Sequence, residues 1–117
     1  MTVLAVDVGG TKLAACRDGG DIHRVPTGAD PWGALTALLD PLTDGITAMG
    51  VGCGGPMEWP AGVVSPVNIP AWRDGFPLRD RLSERYGVPV RLCEGMTARD
   101  VVDELGREHW PGLDAAA

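Results

Sequence analysis

The sequence predicts a mixed α/β domain with a partly parallel sheet. Three observations point there. Short β-prone runs near the start are separated by glycine turns, the signature of a strand meander. Beyond residue 30, amphipathic helical stretches alternate with apolar runs, the pattern of β-α-β connections. The chain has 117 residues, 44% of them hydrophobic, enough to bury a core.

The elements follow in order. Val3–Val6 reads as a buried central strand, ending at Asp7 and the Gly9-Gly10 turn. Lys12–Arg17 and Asp21–Val25 flank "DGG" at 18–20, a hairpin signal. Asp30 is suited to cap a helix with Pro31 at its first position, and Trp32, Leu35, Leu39 and Leu42 form one apolar face. Trp32 and Trp72 are expected to pack in the core or at an interface. Ile46–Cys53 reads as the fourth strand, running into "GCGGP". The stretch with Pro56, Pro60, Pro66 and Pro70 is too proline-rich for a helix and is expected to be a loop. Pro77 opens a second helix, Leu78 and Leu82 share its buried face, and Gly87 ends it. Val88–Cys93 is the fifth strand. Thr97 is placed to cap a last helix carrying Val101, Val102 and Leu105, followed by a frayed tail. The order is β-β-β-α-β-α-β-α, a five-stranded mixed sheet with flanking helices.

Composition narrows the functional classes. The 16 acids outnumber the 10 bases, giving a net charge of −6 without any basic run, so nucleic-acid binding is not expected. No segment has the roughly 18 apolar residues of a membrane span, and the start lacks the pattern of a signal peptide. Cys16, Cys53 and Cys93 lie in or beside strands without C-x-x-C spacing, as buried thiols of a reducing, cytoplasmic compartment do. His23 and His109 have no ligand spacing, and no protein metal site is expected.

The loop "DVGGTK", 7–12, carries the chemistry. The strand end sets the Asp7 carboxylate beside the turn. Gly9 and Gly10 lack Cβ atoms, so backbone N–H groups can approach anionic oxygens. Thr11 adds a hydroxyl, and Lys12, the chain's only lysine, a mobile positive charge. Asp7 is suited to hold Mg²⁺ through water. Neither G-x-x-x-x-G-K-[ST] nor G-x-G-x-x-G is present. The alternative for the same residues is a plain hairpin turn.

"AVDVGGTKLAAC" resembles the first phosphate motif of the ROK family, the bacterial glucokinase-like sugar kinases and related repressors. "VGCGGPM", 51–57, resembles the family's "GxGxPGxV" loop. "GVVSPVNIPAWRDGFPLRDRL", 62–82, resembles its "G-x-V-x-x-x-P-N-L-x-x-W" segment and following helix. "GVPVRLC", 87–93, resembles the strand leading to its active site. The resemblance covers residues 2–93, about four fifths of the chain. It implies one half of a ribonuclease-H-like, actin-like ATPase fold: residues 1–93 as the N-terminal lobe and 94–117 as a divergent helix and tail. It implies that Asp7, Gly9, Gly10, Thr11 and Lys12 lie near the phosphates of ATP and its Mg²⁺. Gly54 and Gly55 would let backbone approach a sugar hydroxyl. Asn68 would bond the sugar, its alternative being a turn residue before Pro70.

The resemblance departs from the family at the strand's end. Family members continue with "NDAN" or similar, whose aspartate is the general base. Here "EGMTARD" follows Cys93, so Glu94 stands for the asparagine and Gly95 for the aspartate. Glycine accepts no proton, Glu94 is one position off, and Asp100 lies further on. No catalytic residue is assigned. The family's second half, with its adenosine loops and zinc motif, has no counterpart in the residues after Gly95. The chain is thus expected to be an ATP-dependent hexose-kinase lobe, truncated or inactive on its own. The alternative is a non-catalytic sugar- or phosphate-binding regulatory protein. Either is expected to form homo-oligomers through the face a second lobe would cover.

Overall fold

The computed structural model describes residues 2–17, 20–53, 57–58, 62–65 and 69–94. Strands β1 (Val3–Val8), β2 (Lys12–Arg17) and β3 (His23–Pro26) form the expected meander. Helix α1 (Pro31–Leu39) leads to β4 (Ala48–Cys53), a short hairpin β5 (Met57–Glu58) and β6 (Val63–Val64), helix α2 (Leu78–Tyr86) and strand β7 (Val90–Glu94). The large sheet has the order β3-β2-β1-β4-β7. β1 pairs antiparallel with β2, and β2 with β3. β1 and β4 run parallel, as do β4 and β7. The crossovers that parallel pairing demands are α1 between β3 and β4 and α2 before β7.

One sheet face builds the core. Strand alternation brings Leu4, Val6 and Val8 of β1 together with Leu13 and Ala15 of β2, Met49 and Val51 of β4, and Leu92 of β7. Leu35, Leu38 and Leu39 of α1 and Leu78 and Leu82 of α2 pack into the same cluster. The other face carries smaller residues. Ala5 sits between Cys16 and Gly50, and Asp7 between Ala14 and Gly52.

The helix termini follow their local chemistry. Asp30 accepts a hydrogen bond from the Gly33 N–H at 3.1 Å and caps α1. Pro41 has no N–H to continue the α-helix, so the chain tightens into a 3-10 turn at Asp40–Leu42. Arg17 then donates to the carbonyls of Leu42 and Asp44, both at 2.7 Å. Gly87 ends α2 at φ 67°, a left-handed conformation that favours glycine. Arg85 and Tyr86 both donate to the Asp40 carboxylate, tying α2 to the end of α1 and holding that carboxyl below its ordinary range.

Three expectations need correction. The buried face of α1 is Leu35, Leu38 and Leu39; Leu42 belongs to the 3-10 turn and is only half-buried. Pro77 precedes α2 as its cap and is not its first residue. The proline-rich stretch is not all loop, for Met57 pairs with Val64 and Glu58 with Val63. Val64 and Phe76 exchange backbone hydrogen bonds of 2.9 and 2.8 Å, fixing this hairpin against the start of α2. The last helix expected after Thr97 lies outside the described residues.

Candidate phosphate site

The 9–12 loop is a tight connection between two central strands. The Gly9 N–H donates to the Lys12 carbonyl at 3.0 Å, closing the turn. A Cβ on Gly9 would lie 2.8 Å from that carbonyl oxygen, so only glycine fits. In the sequence both glycines lack Cβ atoms, which lets backbone N–H groups of the turn approach an anion. The N–H of Gly9 itself is used inside the turn. The N–H groups of Gly10 and Thr11 make no backbone bond among the described residues, and both residues are exposed. They are the donors the loop can offer to an anion.

A residue that the motif does not include holds the loop in place. Thr27 is only 1% exposed, and its hydroxyl donates to the Gly9 carbonyl at 2.7 Å. Its backbone N–H donates to the Thr11 carbonyl at 3.0 Å. The end of β3 is thereby buttoned to both sides of the turn. The signal in the sequence is faint: a threonine after Pro26, in a stretch that reads as loop.

Charge is concentrated beside the turn. By alternation and register, Asp7, Lys12 and Arg24 stand on the same sheet face, the one opposite the core. Asp7 is half-buried, while Lys12 and Arg24 are exposed. The charge of Asp7 is felt at Cys53, whose thiol is pushed up to about 12, first by burial and then by that carboxylate. Cys53 is therefore a protonated core thiol, as Cys16 is a buried free one. The side chain of Cys93 lies outside the described residues.

A second group of residues meets the loop. Gly10, Thr27, Gly28, Ala29 and Pro31 line one side of a cavity of about 280 Å³, and Ile69, Pro70 and Ala71 line the other. Ile69 directly follows Asn68 in the sequence. Asn68, Gly54 and Gly55 themselves lie outside the described residues. So does Gly95, which stands where the family resemblance implies the general base. Trp72 packs as expected, 3% exposed and stacked on Phe76 at 4.3 Å, while Trp32 meets Phe76 at 5.6 Å.

No protein-family model matches the chain, and no curated protein does. Solved structures do. A ROK hexokinase from Thermus thermophilus is 36% identical with a TM-score of 0.68, over 80% of this chain and 35% of its own. A ROK family glucokinase from Streptomyces griseus, solved with glucose and AMPPNP, is 28% identical with a TM-score of 0.67, over 80% of this chain and 33% of its own. A glucokinase from Parabacteroides distasonis is 25% identical with a TM-score of 0.70, over 80% of this chain and 30% of its own.

The sheet order, the two crossover helices and the glycine turn after β1 define one lobe of an actin-like ATPase fold. The chain belongs to the ROK family, and the lobe it matches is the N-terminal one. It spans about a third of the length of these structures.

Proposed function

We propose that the chain is the phosphate-gripping lobe of an ATP-dependent hexose kinase. The carrying observation is the cavity that Gly10 of the turn lines together with Ile69, Pro70 and Ala71. A phosphoryl donor held on the turn would lie across this cavity from the 69–71 stretch, which follows in sequence the residue that family resemblance assigns to the sugar, and transfer requires such closeness. The Streptomyces griseus glucokinase, solved with glucose and AMPPNP, supports this pairing of ligands.

The residues at the turn fit a nucleotide's phosphates. Gly10 and Thr11 offer N–H groups, Thr11 a hydroxyl and Lys12 a point charge. They also fit Mg²⁺, because the single carboxylate of Asp7 suits an ion that keeps its water and takes its other ligands from phosphate. Among the described residues no group of three His, Cys, Asp or Glu side chains could hold a metal unaided. When bound, Mg²⁺ would neutralise phosphate charge. Asp7 would hold it through water, and Lys12, on the same sheet face, would add a positive charge for the phosphates.

On its own the chain binds without transferring. Gly95 supplies no base, and general-base help is typically worth about 10²- to 10⁴-fold. A coupled assay with ATP, Mg²⁺ and a panel of hexoses is expected to stay at background. Turnover of about 1 s⁻¹ or more, the ordinary kinase range, would show that Glu94 or Asp100 serves as base. The same reading has the chain self-associating. A clean monomer in sedimentation equilibrium at high micromolar concentration would contradict that part.

A further inference from the structure

The described cations of this acidic chain mostly have structural roles. Arg17 caps the 3-10 turn, Arg85 grips Asp40, and Arg81 lies over the rings of Trp32 and Phe76. Lys12 and Arg24 differ, for among the described residues neither makes an ion pair. They stand together all the same. Lys12 pairs with Pro26 and Ala14 with Arg24, so the two cations are diagonal neighbours on one face of β2 and β3. At that spacing long side chains reach each other, and two like charges repel unless something between them is negative. With Thr11, Val25 and Pro26 they line an open groove of about 360 Å³, continuous with the turn through Thr11.

From this juxtaposition we infer that Arg24 is a second cation for the phosphate chain of the nucleotide, acting together with Lys12. The inference rests on the proposed phosphate site and extends it onto the edge strand. A planar guanidinium can grip two phosphate oxygens at once, which the ammonium of Lys12 cannot. The groove is open, Val25 and Pro26 give it an apolar floor, and its two exposed cations are the charged groups it offers a ligand. The ligand class is therefore a di- or triphosphate group, recognised by charge and independent of the nucleoside it carries.

The test is calorimetric titration of the full chain with ATP·Mg²⁺ and, separately, with inorganic tripolyphosphate. Arg24→Ala is expected to weaken both by a similar factor, about two- to fivefold for an exposed charge. Arg24→Lys should recover part of the loss, and Arg24→Glu should deepen it. The salt dependence of binding should become shallower in Arg24→Ala. His23→Ala, on the alternate face of the same strand, should change neither ligand. Unchanged tripolyphosphate binding in Arg24→Ala, with Lys12→Ala defective, would overturn the role of Arg24 and leave the phosphate turn standing. A loss for ATP without a loss for tripolyphosphate would also overturn it, because Arg24 would then be reading the nucleoside. No binding of either ligand by the unaltered chain would overturn the phosphate turn itself, and Arg24 with it.

Discussion

Thr27 shows how much of a glycine turn depends on a residue outside it. Its hydroxyl and its N–H reach the two carbonyls that bracket Gly10. Thr27→Val keeps the shape and the backbone bond but removes the hydroxyl donor. It is expected to cost about 1 kcal/mol in urea denaturation, the usual net worth of one hydrogen bond. Thr27→Ser should recover most of it, and the Gly9 and Thr27 amides, both bonded within the turn, should exchange faster only in the valine variant. Cys53 makes a different point at the same scale. Its thiol, ordinarily near 9.0, is raised by burial and by Asp7 to about 12. A folded-state value above the unfolded one means that the stabilisation is complete below about pH 9 and is lost as pH rises toward 12. Between those limits the unaltered chain should lose stability more steeply than Cys53→Ala, by up to about 1.4 kcal/mol per pH unit. Parallel pH profiles would show that Cys53 is not the group responsible.

At the scale of elements, α1 separates two readings of one apolar stripe. Leu35 is fully buried against the sheet, whereas Leu42 sits half-buried beyond the helix end. Leu35→Ala is expected to cost about 2–5 kcal/mol by chemical denaturation, and Leu42→Ala much less. Equal losses would restore the longer helix that the heptad-like spacing suggests. That spacing misleads because Pro41 stops the helix before the stripe is complete, a local effect that the periodicity alone does not weigh. The strands are more legible. Lys12–Arg17 can be read residue for residue, since glycine turns bound it on both sides. The β5–β6 hairpin cannot, because two-residue strands carry no periodicity and their pairing depends on Phe76, a dozen residues further on.

For the whole molecule, the sheet order can be anticipated from the order of elements, since a meander followed by two crossovers leaves few un-knotted arrangements. The site is legible in its residue types and less so in what each residue does. "GGTK" marks a phosphate turn, but nothing in the string tells that the N–H of Gly9 is used internally or that Thr27 holds the turn. The position of Arg24 beside Lys12 emerges only once β2 and β3 are in register. All these assignments depend on the 9–12 turn receiving phosphate. The direct measurement is an amide chemical-shift titration of the isotope-labelled chain with ATP and Mg²⁺. The largest changes are expected at Gly10, Thr11 and Lys12, with Gly9 moving less because its N–H already bonds the Lys12 carbonyl. Changes centred elsewhere, or none at millimolar ligand, would contradict a phosphate-binding turn.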